Sequence, residues 1–290
     1  MAVDRLVDKI RKTKSPVVLD LDMLPEHIPV KIMEAESSYL AAYNVYCKQL
    51  LEGLKEIVAA VRISFAAMAC MGAEGLDVLS CVLKTAKKLG YYVLLDVPES
   101  LSAQAAQWQA ERYLAEDSPW VFDGLVISAY IGSDLLRGYV DKLKDSGKDL
   151  FVVVRTSNRS APELQDLLTG TRLAHLAKAE IVNRFAQTVP SKSGYAQVGI
   201  VAGASAADSI KTLRSKFKNM FMILDGMDYP NANAKNCAHA FDPLGRGAVA
   251  CVGLSVTAAW QKENSEDYMA EAVAAAERHK KNLCRYISIY

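Results

Sequence analysis

The stretch Tyr91-Tyr92-Val93-Leu94-Leu95-Asp96-Val97-Pro98-Glu99-Ser100-Leu101 is an apolar run that ends on a carboxylate and breaks at a proline. It is too short for a helix and nearly continuous in apolar character, the pattern of a parallel strand buried on both faces. Such a strand presents its last polar side chain where the next loop opens to solvent, which makes Asp96 a candidate site residue. The loop brings Pro98, Glu99, Ser100 and Leu101, with no cation and no nucleophile stronger than serine. Glu99 reads as a solvated loop residue.

Seven more runs of this kind lie at Pro16–Asp22, Ile57–Ile63, Gly124–Tyr130, Leu150–Ser157, Gln197–Ala204, Met220–Gly226 and Gly247–Leu254. Between and after them, Ile32–Lys55, Glu74–Leu89, Ser102–Ala115, Asp134–Lys144, Pro162–Gln187, Ala206–Phe217, Ala232–Ala240 and Glu266–Tyr290 space their apolar residues for one buried helical face. Eight βα units in series predict an α/β fold, a (β/α)8 TIM barrel over residues 1–290 as a single domain with an N-terminal helix. A doubly wound open sheet would need polar edge strands that the runs do not offer. The first strand also leads into Leu19-Asp20-Leu21-Asp22-Met23-Leu24-Pro25, which has no glycine for a dinucleotide loop.

In barrels of this kind the working residues sit at the C-terminal strand ends. Those ends carry Asp20 and Asp22, Arg62 and Ser64, Asp96, Ser128 and Tyr130, Arg155 and Ser157, Ser205, Asp225 and Asp228, and Ser255, a polar and rather acidic mouth. Arg62 and Arg155 are expected to neutralise the aspartates, and Asp22, Asp96, Asp225 and Asp228 are a weaker candidate set for a hard metal ion. The longest connection, 159–196, is the candidate lid or oligomer contact.

Lys+Arg 34 against Asp+Glu 33 gives a net charge of +1, so no charge excess points to a nucleic-acid partner. No apolar run approaches the ~18 residues that span a bilayer, so the expectation is a cytoplasmic protein with no membrane partner. Cys47, Cys70, Cys81, Cys237, Cys251 and Cys284 form no close pairs and read as buried thiols in a reducing compartment. The histidines, His27, His175, His239 and His279, are scattered and read as surface or helix-face residues.

The chain resembles the orotidine 5′-phosphate decarboxylase family, in its longer bacterial subtype, along nearly its whole length. The resemblance is carried by residues 19–26, by Val61-Arg62-Ile63-Ser64-Phe65-Ala66 and the glycine pair Gly72 and Gly75, by Ser128–Asp134, by Val152-Val153-Val154-Arg155-Thr156-Ser157-Asn158, by Glu163–Leu167 and by Val201–Ser205. It implies that Asp22 takes the place of a ribose-binding aspartate and Ser157 that of a serine reading the pyrimidine. It also implies that Arg62 and Asp96 are remnants of a Lys-Asp-Lys-Asp catalytic network. Pro98 then stands where the proton-donating lysine is expected and Leu101 where an aspartate crosses to the neighbouring subunit. Pro230 and Leu254 stand where a glutamine and an arginine hold the phosphate.

The chemistry the resemblance implies needs no cofactor and no metal, but it does need an ammonium to stabilise and protonate a carbanion. Proline can do neither, and a guanidinium with a pKa above ~12 is a poor acid near neutrality. The expectation is therefore a pyrimidine-biosynthesis family barrel, a pseudoenzyme whose decarboxylase activity is lost or severely reduced. One alternative is a working decarboxylase with displaced residues, for instance Lys192 from the long fifth connection. Another is a non-catalytic barrel holding a different small ligand or a protein partner. The expected partners are a small molecule, a nucleoside or nucleotide among them, and a second copy of the chain in a homodimer.

Overall fold

The computed structural model describes every residue except Glu99, Asn264 and the side chain of Glu263. Eight parallel strands close on themselves in sequence order: β1 Val17–Asp20, β2 Ala60–Ser64, β3 Tyr92–Asp96, β4 Gly124–Ser128, β5 Asp149–Val153, β6 Val198–Gly203, β7 Met222–Asp225 and β8 Ala248–Val252. β8 pairs back onto β1, with Val18 opposite Cys251. The barrel expected from the eight apolar runs is the one observed, each strand shortened to its paired residues.

Successive strand residues alternate between the lumen and the surrounding helices. Val17, Leu19, Val61, Ile63, Val93 and Leu95 belong to the outer core beneath the helices. Val18, Ala60, Leu94, Val126, Phe151, Ile223 and Val249 form the lumen. The same parity that puts Val18, Leu94 and Ile223 inside points Asp20, Asp96 and Asp225 into the mouth. Room for the Phe151 ring comes from Gly199, where a Cβ would stand 2.8 Å from that ring and 2.5 Å from the Phe221 carbonyl oxygen.

The opposite end of the barrel is closed by α1, Ala2–Thr13. Its apolar face, Ala2, Val3, Leu6 and Ile10, is buried and continuous with the lumen core. The spacing of three and four residues makes this one helical stripe.

Two expected helices are broken. Ile32–Lys55 becomes Val30–Ala35 and Tyr39–Leu54, where Ser38 caps the second helix through the Ala41 N–H. The run Pro162–Gln187 becomes Pro162–Gln165, a hairpin of Leu168–Thr169 and Arg172–Leu173 turning at Gly170, and Ala174–Ala186. Gly170 sits at φ +67°, which a helix cannot accommodate. Among the described residues no helix is long and apolar enough to cross a membrane.

Because Leu6 seals the lumen from below with no solvent exposure, Leu6→Ala is expected to cost about 2–5 kcal/mol of unfolding free energy. Urea denaturation of the two proteins measures it.

Candidate active site at the barrel mouth

Arg62 at the end of β2 stands between two carboxylates. Its Nε and Nη2 donate to Asp20 Oδ1 and Oδ2 at 2.8 and 2.9 Å, and Nη2 also donates to Asp225 Oδ1 at 2.6 Å. One guanidinium thus bridges β1, β2 and β7, with 13% of its side chain exposed. A fork of N–H donors matched to a carboxylate is the geometry arginine favours over lysine. Burial opposes the charge on Arg62, but the carboxylates of Asp20, Asp225 and Asp96 outweigh it and hold the guanidinium firmly protonated.

The aspartates respond to burial in the opposite sense. Desolvation, helped by Asp225 and Asp22, pushes the Asp20 carboxyl up to about 7 against the pull of Arg62. Asp96 is pushed up to about 6, first by desolvation and then by Asp22 and Asp225, with Arg62 pulling the other way. Asp22 opens to solvent within the mouth, yet it too is raised by desolvation among the mouth walls; its Oδ1 accepts the Ser64 N–H at 3.1 Å. That contact ties the β1 end to the β2 end, whereas the turn before Pro25 is served by His27 Nδ1, which accepts the Leu24 N–H.

Ser157 is 7% exposed and donates its hydroxyl to the Asp225 carbonyl at 2.6 Å. Tyr229 folds over Gly226 beside it: a Cβ at Gly226, whose φ is +79°, would meet the Tyr229 ring at 2.6 Å and Ser157 Cβ at 2.8 Å. Asp228 turns to the backbone after β8, accepting the Gly253 N–H at 2.8 Å and the Ser255 N–H at 3.4 Å. Pro98 is exposed, and Leu101 projects outward with 86% of its surface exposed. Glu99 lies outside the described residues.

Several expectations need correction. Arg155 does not neutralise the mouth aspartates; it grips Asp166 through Nε and Nη2 at 3.0 and 2.9 Å and so pins the long connection after β5. His175 is not a surface residue. It is 2% exposed, with Nδ1 on the Gln165 carbonyl at 2.9 Å and 3.1 Å from Asp166. His279 Nε2 lies 2.8 Å from Ser255 Oγ.

Lys192 sits in the turn whose Ser193 N–H bonds Asp4 of α1, at the closed end of the barrel and far from Asp96. The charges acting on Asp96 are Arg62, Asp22 and Asp225. Of the cysteines, Cys47, Cys237 and Cys251 are buried, while Cys70 and Cys284 are exposed.

The metal-compatible group among the described residues is Asp20, Asp225 and Cys251, not the four aspartates named from sequence. Arg62 already occupies both of its carboxylates, and burial followed by Asp20 pushes the Cys251 thiol well up, away from a ligating thiolate. Asp20 as the fork's partner and Asp228 as a backbone acceptor were visible only as polar strand ends. Sequence has no signal for which strand end faces which.

No family model matches the chain. Curated relatives do, along almost all of it. Orotidine 5′-phosphate decarboxylase of Rhodopirellula baltica is 27% identical over 281 residues, covering 92% of this chain and 93% of that protein. The Clostridium novyi enzyme of that name is 25% identical over 268 residues, covering 92% of each. Among solved structures, orotidine 5′-monophosphate decarboxylase of Plasmodium berghei superposes with a TM-score of 0.78 at 15% identity, covering 98% of both chains. Leishmania donovani OMP decarboxylase gives 0.72 at 22% identity, covering 97% of this chain and 98% of that one. The fold and its polar mouth define an α/β barrel of the type that works at its C-terminal strand ends. Along nearly its whole length the chain is similar to orotidine 5′-phosphate decarboxylases.

The raised Asp96 carboxyl makes the folded protein hold a proton that the unfolded chain releases near pH 4. The stability from that proton is present below about 4 and lost as pH rises through about 6. Asp96→Asn cannot ionise, so from pH 4 to pH 8 its unfolding free energy is expected to gain on the parent by on the order of 1–3 kcal/mol. Denaturation series at both pH values measure the difference.

Proposed function

We propose that this chain is a single barrel domain of the family, acting in the cytoplasm, in which decarboxylation of orotidine 5′-monophosphate is lost or severely reduced. The observation that carries the reading is the Arg62 fork. The cation at the strand end where the resemblance calls for a lysine is engaged by Asp20 and Asp225. A guanidinium so held neither moves to a substrate nor gives up a proton near neutral pH. Two residues beyond Asp96 the chain has Pro98, where the resemblance calls for an ammonium.

The rest of the mouth agrees. The Ser157 hydroxyl is spent on the Asp225 carbonyl. Asp228 already accepts the backbone N–H groups after β8, a part of the barrel where phosphate is often held. A phosphate brought there would meet a carboxylate, at a cost of about 1–4 kcal/mol for unit charges a few ångströms apart. Asp20, Asp22, Asp96 and Asp225 around one arginine favour instead a neutral or cationic small ligand, the reading of a binding barrel without decarboxylase chemistry.

Purified protein is expected to show no enzyme-like conversion of orotidine 5′-monophosphate to uridine 5′-monophosphate, followed by the loss of orotate absorbance. Turnover at enzyme-like rates would sink the proposal.

The homodimer is proposed from the large apolar side chains left exposed after β3 to β5. Leu101 is 86% exposed, Tyr130 80%, and Leu164 and Leu168 70% each. A second copy covering them would withdraw this surface from water. Size-exclusion chromatography with light scattering is expected to give twice the 31.7 kDa chain mass.

A further inference from the structure

At the closed end of the barrel, away from the mouth, a groove of about 380 Å³ runs between α1 and the end of helix Gly72–Lys88. Arg5, Lys9 and Lys12 line it, spaced four and three residues apart, so that one face of α1 presents all three. Lys87 faces them from the neighbouring helix, and Tyr91 lies at the groove wall with the Lys9 ammonium 5.7 Å from its ring centre.

Part of this array is built on a buried acid. Asp123 is 1% exposed and accepts the Val93 N–H at 2.9 Å. It also takes the Lys87 ammonium at 2.7 and 2.8 Å and bonds the Arg5 guanidinium. One carboxylate thus fixes two cations in place and leaves them in net positive excess. The other lining acid, Asp8, is shared with Arg11. The Lys9 and Lys12 ammonium groups form no ion pair or hydrogen bond among the described residues. Lys9 is held below the usual lysine range by desolvation and by Lys12, with Glu56 opposing. Crowded cations of this kind are relieved by a bound anion.

We propose that this groove is a second ligand site, one that binds the diphosphate group of a small molecule. Two cations fixed by Asp123 and two on flexible stems suit an anion with several charged oxygens, as guanidinium and ammonium groups both bond phosphate oxygens. The site lies at the opposite end of the barrel from Arg62 and does not depend on how the mouth reads.

The test is isothermal titration of the whole protein with inorganic pyrophosphate and, in a second arm, a nucleoside diphosphate. Both are expected to bind, and to bind more weakly as sodium chloride rises. Equal affinity assigns recognition to the diphosphate alone, and tighter nucleotide binding adds the nucleoside to it. Lys9→Ala and Lys12→Ala are each expected to weaken binding about threefold, and the double variant on the order of tenfold. Lys12 is exposed, so its variant keeps the fold, and thermal melting confirms that for all three. Lys142→Ala, on the distant helix Ser133–Ser146, serves as the control and leaves binding unchanged. The proposal is overturned by an absence of binding at millimolar pyrophosphate, by a double variant that binds like the parent, or by an equal loss in the Lys142 control.

Discussion

One guanidinium holds the top of the lumen together. Arg62 joins three strands that are not all neighbours, reaching from β2 to Asp20 on β1 and across the mouth to Asp225 on β7. Without its partners a charge at this depth would cost several kcal/mol in desolvation, and without Arg62 the carboxylates would face one another. The three groups are therefore meaningful only as a set. Asp22 and Asp96 complete the acidic ring, and the raised proton affinities of Asp20, Asp22 and Asp96 measure how incompletely one cation serves the acids around it.

That arrangement commits the Arg62 cation at the mouth to the protein's own carboxylates. The backbone donors after β8 are likewise committed to Asp228. At the other end the order is reversed: one buried acid, Asp123, gathers cations from α1 and its neighbour. A chain whose net charge is only +1 thus carries an acidic cluster at one end of the barrel and a basic cluster at the other. The near-neutral sum conceals this, because charges add along the chain whereas fields depend on where the fold puts them.

The barrel was legible because its signal is local and repeated. Runs such as Tyr91–Val97 and Gly247–Leu254 state their burial residue by residue, and the alternation with helical spacing recurs eight times. The helix breaks at Ser38 and Gly170 were missed because the apolar spacing continues through them while the capping serine and the left-handed glycine decide the backbone. In the site, Asp22, Arg62, Asp96 and Ser157 were found as polar strand ends, and all four do line the mouth. Arg155 was assigned the wrong acids and Lys192 the wrong end of the barrel. A long connection can return a side chain to either end, and nothing in its composition says which.

By itself the sequence determined the strands, their order, the resemblance to a family, and which residues stand at the strand ends, since periodicity and local motifs survive without any knowledge of distance. Only the tertiary structure decided that Asp20 rather than Asp96 takes the Arg62 fork, that Asp228 turns to the backbone, and that Arg5, Lys9, Lys12 and Lys87 share a groove. Barrel closure sets these pairings. It brings β8 against β1 and β7 across the mouth from it, from some two hundred residues away, and hydrogen bonds reach only about 3 Å.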